Sequence, residues 1–262
     1  VRLGIGLYGL NPSPEVPVVS TMRPALTLTS RIARVFYLAA GVTNLRAGVF
    51  NDDVTWNLGG FTYRLSQGGG PVDFPSLLVA QQSGDVGRLG ISNGTIANSF
   101  TGIGIYAGSQ GELRLGAGAI LNSSQSVNVG AAGHGVFSAL GGAQVSTQRI
   151  DIASESGASG TATFSGLGTQ AVMFGLTVGL KGQGQMSVLD GATVFASQTR
   201  IGSLAGATGS MTIQGQDARL SNSSVWVGSS GNGALDILAG GAITNGGDVD
   251  IGYGAGTSGA VR

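Results

Sequence analysis

One short phrase, apolar-x-apolar followed by Gly or Ala, returns along most of this chain at nearly even spacing. It reads Leu77-Leu-Val79-Ala80, Val127-Asn-Val129-Gly130, Ile150-Asp-Ile152-Ala153, Leu176-Thr-Val178-Gly179, Thr199-Arg-Ile201-Gly202, Val225-Trp-Val227-Gly228 and Val249-Asp-Ile251-Gly252, with Ile103-Gly-Ile105 taken as the second member of the series. Counted on the second apolar residue, the steps are 26, 24, 23, 26, 23, 26 and 24 residues. A unit this short cannot enclose a core of its own. It must bury its apolar face against neighbouring copies, so the chain is constrained to a stack of repeats.

Inside each period apolar and polar residues alternate with period two, the mark of strands, and helical 3.6 patterning is hard to find. Glycine supplies 49 of 262 residues and falls mostly between the alternating pieces, where corners need positive φ. Each period therefore reads as two or three short strands. One inward ladder is expected at Leu77, Ile103, Val127, Ile150, Leu176, Thr199, Val225 and Val249. A second runs through Leu89, Leu113, Phe137, Ala162, Met186, Met211 and Leu235, and its neighbour through Ile91, Leu115, Ala139, Phe164, Val188, Ile213 and Ile237. In this register Phe137 lies over Ala162 and Ala139 over Phe164, so each large side chain meets a small one, as dense packing requires. A slip of one residue would turn all of them outward.

Composition removes several kinds of chemistry. Charged residues are 10% of the chain and the formal net charge is zero, which gives no basic footprint for nucleic acid. There are no cysteines, hence no disulfide, thiolate metal site or Cys nucleophile. A single His excludes a His-based metal cluster within the chain. No signal peptide or membrane helix is visible, the run Val35–Val42 being too short to span a bilayer. Starting at Val1 and stopping at Ala260-Val261-Arg262, part-way through a rung, the chain reads as a piece of something longer. Further rungs or a membrane anchor are expected outside it.

Three regions follow. Residues 1–46 lie outside the repeat and hold Pro12, Pro14, Pro17 and Pro24; a strand or two is expected within Ala25–Tyr37. The stretches VRLGIGLYGLNPSPE, MRPALTLTSRIARV and LAAG resemble the alanine racemase family where its barrel meets its C-terminal β-domain. The resemblance rests on Arg2-x-Gly4-Ile5, Leu7-Tyr8-Gly9 and the run from Arg23 to Arg31. It implies that Arg2 would face the pyridine nitrogen of pyridoxal phosphate, with Gly4 and Ile5 helping to hold the phosphate. The family's Schiff-base lysine falls upstream of this segment, and Arg46 stands where its catalytic tyrosine would be. Without those two groups racemisation has no machinery, so this part reads as a non-functional fragment and no cofactor is expected. Residues 47–76 form a lead-in, with alternation in Val54-Thr-Trp56-Asn-Leu58 and Phe61-Thr-Tyr63-Arg-Leu65 that predicts a hairpin or first rung. Its aromatics are placed to cap the open end of the stack.

Residues 77–262 carry the repeats. Phrases such as VWVGSSGNGALDILAGGAI and IGSLAGATGSMTIQGQDARLSNSS resemble the passenger repeats of bacterial autotransporters and similar large surface proteins. That resemblance implies a right-handed parallel β-helix of the pectin-lyase-like kind, exported to the cell surface.

A catalytic face on such a fold should repeat one chemical type or gather a charge cluster. The outward residues Leu78, Gly104, Asn128, Asp151, Thr177, Arg200, Trp226 and Asp250 do neither. Asp248 and Asp250 share a face and could hold a cation, but two solvated carboxylates is the plainer reading. Trp226 stands between Arg200 and Asp250, as an Arg–Trp contact or, in the sharper reading, a sugar platform. His134 lies in a Gly-flanked corner. Gly179–Gly184 is glycine-rich but leads into a strand, where a phosphate loop needs a helix. No rung keeps the Asp of the calcium-binding nonapeptide repeat.

The sequence thus predicts an all-β, right-handed parallel β-helix of about seven to eight rungs with an irregular N-terminal extension. The expected role is structural and adhesive rather than enzymatic: a secreted, surface-exposed passenger segment whose partner is a protein or glycan on a host or neighbouring cell. The rival readings are a racemase fragment and a polysaccharide-active enzyme on the same fold.

Overall fold

The structure, a computed structural model, describes residues 54–58, 61–65, 72–92, 94–254 and 256–262, with side chains from Ser76 onward. Arg2, Gly4, Ile5 and the strands expected within Ala25–Tyr37 lie outside the described residues. All regular elements described are strands, in two sheets that alternate along the chain.

The long-strand sheet contains β3 (Val72–Val79), β5 (Thr95–Ile103), β7 (Ile120–Val129), β9 (Gln144–Ile152), β11 (Gln170–Val178), β13 (Thr193–Ile201), β15 (Arg219–Val227) and β17 (Ala242–Asn245), with β18 (Val249–Ile251) also pairing β15. The short-strand sheet contains β4 (Val86–Ile91), β6 (Gln110–Leu115), β8 (His134–Leu140), β10 (Ser159–Ser165), β12 (Gln183–Leu189), β14 (Thr208–Gln214), β16 (Asn232–Leu238) and β19 (Ser258–Val261). Each strand pairs in parallel with the equivalent strand one period away. The chain is a parallel β-solenoid of about eight coils. A hairpin of β1 (Val54–Leu58) and β2 (Phe61–Leu65) lies antiparallel on the edge of β4. It extends the short-strand sheet at one end, so that β2 rather than β4 is the terminal strand there.

Both ladders of the short-strand sheet have the expected register: Phe137 pairs with Ala162 and Ala139 with Phe164. Both phenylalanines are fully buried. Their rings meet edge to face, with centroids 5.7 Å apart and planes at 79°. One expectation for the long-strand sheet is corrected. Thr101, not Ile103, stands between Leu77 and Val127, while Ile103 pairs with Val79 and Val129. The outward residue of that coil is accordingly Gly102 and not Gly104. Alternation alone could not separate these registers, because Thr101-Gly-Ile103-Gly-Ile105 repeats every two residues. Hydrogen bonding decides, with the Gly104 N–H donating to Val79 O at 2.9 Å.

The uneven period also has a cause. The 23-residue step from Val129 to Ile152 uses the tight connections 130–133 and 141–143. The 26-residue step from Ile152 to Val178 uses 153–158 and 166–169, while the strands keep their lengths. Gly130 and Ala153 begin the first of these connections in left-handed conformations, φ 67° and 57°. So do Gly104, Gly179, Gly202, Gly228 and Gly252. Their N–H groups donate coil to coil, for example Gly130 to Ile103 O at 2.7 Å and Gly228 to Ile201 O at 2.8 Å. A conformation that L side chains resist thus recurs once per coil because the inter-coil bond requires it.

Candidate functional site

The long strands bend half-way. Pairing between β5 and β7 shifts between Asn98 and Phe100, and pairing between β7 and β9 shifts between Ser123 and Ser126. In both, Ser124 and Gln125 of β7 oppose a single residue of the neighbour, which is a β-bulge. A bulge re-aims side chains, and bulges gather beside functional sites. Behind this one lies a closed polar network. Asn98 donates from Nδ2 to Thr101 Oγ1 at 2.9 Å, Thr101 and Ser123 share a hydrogen bond at 3.0 Å, and Ser123 donates to Asn98 Oδ1. All three are buried. Satisfied networks of this kind fix one geometry, because any loosening strands a polar group without water. In the next coil Thr147, paired with Ser123, donates from Oγ1 to Arg149 O at 3.3 Å.

On the outer side of the bend lies a cleft of about 680 Å3 lined by Gln125, Ser126, Gln148, Arg149, Phe174 and Gly175. A shallower hollow of about 500 Å3 continues from it through Gln148 toward Ser146, Asn122 and Ser99. Together they make a groove that crosses β5, β7, β9 and β11. Gly175 helps to open it: a Cβ there would come within 3.4 Å of Arg149 Cγ. Phe174 stands on the rim with 62% of its surface exposed.

One pleat beyond the groove is Asp151, a residue expected to face solvent. It does point to the outer face, but it is buried, at 2% exposure. Arg149 lies against it, Nε to Oδ2 at 2.7 Å. Asn128 and Thr177 flank it in the adjacent coils. Burial pushes the Asp151 carboxyl above its ordinary value, and the Arg149 charge and the Thr177 and Arg149 hydrogen bonds only partly oppose this. With Nε engaged, Arg149 keeps its two terminal amino groups as donors, on a side chain 61% exposed beside the cleft. Asp151 itself is shut away from the groove, so its evident role is to hold Arg149.

The raised value fixes the sign of a pH effect. Below the unfolded value of 3.8 both states hold the proton. Between there and the raised native value only the folded chain does, so stability falls as pH rises through that window. Asp151→Asn should therefore unfold at higher urea than the parent at about pH 7, and the gain should vanish near pH 3. A parent at least as stable as the variant near pH 7 would show that the Arg149 pair outweighs the burial.

Other candidates fall into place individually. Arg200 lies over the Trp226 ring, 4.7 Å from its centroid. The contact read from the sequence is present, and it occupies a ring face that a sugar would need. The exposed aromatic is instead Phe174, which the sequence reading passed over. Its signal was an apolar residue at an outward position where the neighbouring coils carry Gln148 and Ser197. His134 Nδ1 is 2.8 Å from Ser159 Oγ on an exposed ladder. Lys181 of the glycine-rich string pairs with Glu155 in the preceding coil at 2.8 Å, and β12 follows. Among the described residues no third His, Cys, Asp or Glu joins Asp248 and Asp250 into a metal-binding group. No family model matches this sequence, and neither a curated protein nor a solved structure matches it.

Proposed function

We propose that this chain is a rigid display rod, a structural and adhesive segment of a secreted protein exposed on a bacterial surface. The observation that carries the reading is the unbroken coil-to-coil bonding. Eight coils share two parallel sheets, inward ladders run from Leu77 to Leu235, and one left-handed corner per coil adds a further inter-coil bond. At about 4.8 Å per coil such a stack is a stiff body roughly 35 Å long. Its short connections carry varied residues outward, which suits contact with another cell. The likeness of the repeats to autotransporter passengers supports the same reading. A polysaccharide-cleaving enzyme would need an acid or base open to the groove, and Asp151 is closed off beneath Arg149.

Surface labelling tests the proposal. An antibody raised against the purified chain should stain intact cells that express the full gene, and external protease should remove the stain. Staining that appears only after the cells are broken would overturn it.

A further inference from the structure

We propose that the groove across β5, β7, β9 and β11 binds a neutral, extended β-1,4-linked glycan laid along the rod axis. The inference rests on the display reading, to which it adds the class of partner. Four observations carry it. First, the groove is built rather than incidental. The bulge at Ser124 and Gln125 inserts an extra residue into β7 alone, its neighbours β5 and β9 having nine residues to its ten. The buried Asn98–Thr101–Ser123 network lies directly behind it. Second, the lining matches hydroxyl groups. Gln125 and Gln148 can each donate and accept, as a sugar hydroxyl does, and Arg149 is held by Asp151 with donors to spare. Third, the one charge in the cleft is neutralised within 2.7 Å, so nothing there favours an anionic polymer. Fourth, the rim offers an aromatic face. Phe174 shares the outer side of β11 with Val172, which pairs with Phe195, and all three are exposed. Exposed rings beside amides suit a pyranose, which has an apolar face and a polar edge.

Direction supports the same ligand. Equivalent residues of successive coils stand about 4.8 Å apart, close to the length of one pyranose unit in an extended chain. Successive sugars would then meet successive coils. The volume lies in the usual range for ligand clefts. A peptide adding itself as a strand is disfavoured at this place, because β5, β7, β9 and β11 are paired on both edges.

The test uses the purified chain with cellohexaose and chitohexaose as probes, and maltohexaose and polygalacturonate as comparisons. Calorimetry and ligand-observed NMR should show the first two binding in preference to the others. Phe174→Ala and Gln148→Ala should each weaken binding at least about tenfold while leaving the melting temperature in place, since both side chains are exposed. The proposal is overturned if neither probe binds at millimolar concentration, if polygalacturonate or maltohexaose binds better, or if both variants bind like the parent. A chain that labels intact cells yet binds no probe ends the glycan assignment and leaves the display rod standing.

Discussion

Gly184→Ala should lower stability by about 3 kcal/mol or more, although it adds a single methyl group. The added Cβ would lie 2.1 Å from the Gly179 nitrogen and 2.8 Å from its Cα. Both are backbone atoms of the left-handed corner and neither can swing aside. Gly184 is not itself among the residues of positive φ, so the loss comes from contact and not from conformation. The same approach recurs once per coil. A Cβ at Gly135 would meet Gly130 N at 2.1 Å, and one at Gly209 would meet Val178 O at 2.1 Å. Gly157 supplies the contrast, with φ +80° and nothing within 4 Å of an added Cβ. Gly157→Ala should cost only about 1–2 kcal/mol, the conformational penalty alone. Urea midpoints by far-UV circular dichroism separate the two. Equal, mild losses would mean that the corner can shift to admit a methyl group, and that the column of strand glycines has another cause.

That contrast shows where the sequence was readable. The period, the all-β class, the two ladders and the Phe137/Ala162 and Ala139/Phe164 alternation could all be read, because each follows from side-chain type at fixed spacing. Most of the glycine was read as turn residue. Half of its repeating role is different, since Gly111, Gly135, Gly160, Gly184, Gly209 and Gly233 sit in strands where another backbone passes. A missing side chain looks the same in a sequence whether φ or space demands it. Thr101 was displaced from its ladder because Thr101-Gly-Ile103-Gly-Ile105 fits the alternation in either register, and only the structure sets Asn98 and Ser123 beside it. The groove escaped for a related reason. The bend and the bulge of β7 leave alternation intact on either side, so Phe174 and Gln125 look like ordinary outward residues. The three-residue difference between the 23- and 26-residue steps was visible, but only the connections 130–133 and 153–158 reveal it as loop length.

Phe137→Ala should be the most damaging of the core truncations, at about 3–5 kcal/mol. Phe137 and Phe164 are the largest of the fully buried side chains, and the arrangement that packs them so well leaves no reserve. Phe137 stands between Leu113 and Ala162 in its ladder, and Ala139 follows it two residues on, facing the same interior. Truncation would set three alanines, at 137, 139 and 162, around one cavity, bordered by Leu113 and the Phe164 ring. That ring loses its edge-to-face partner at 5.7 Å, so the double variant with Phe164→Ala should cost less than the sum of the singles by about 0.5–1.5 kcal/mol. Coils touch only their neighbours, so the damage should stay local and weaken the joint between the coils of β8 and β10. Urea unfolding of Phe137→Ala should then lose its single step. Limited proteolysis should first cut in the connections 141–143 or 153–158, freeing a C-terminal stack that still resists digestion. A loss below about 1.5 kcal/mol, or cleavage spread evenly along the chain, would mean that the core collapses around the missing ring and that the large-over-small alternation is not what holds these coils together.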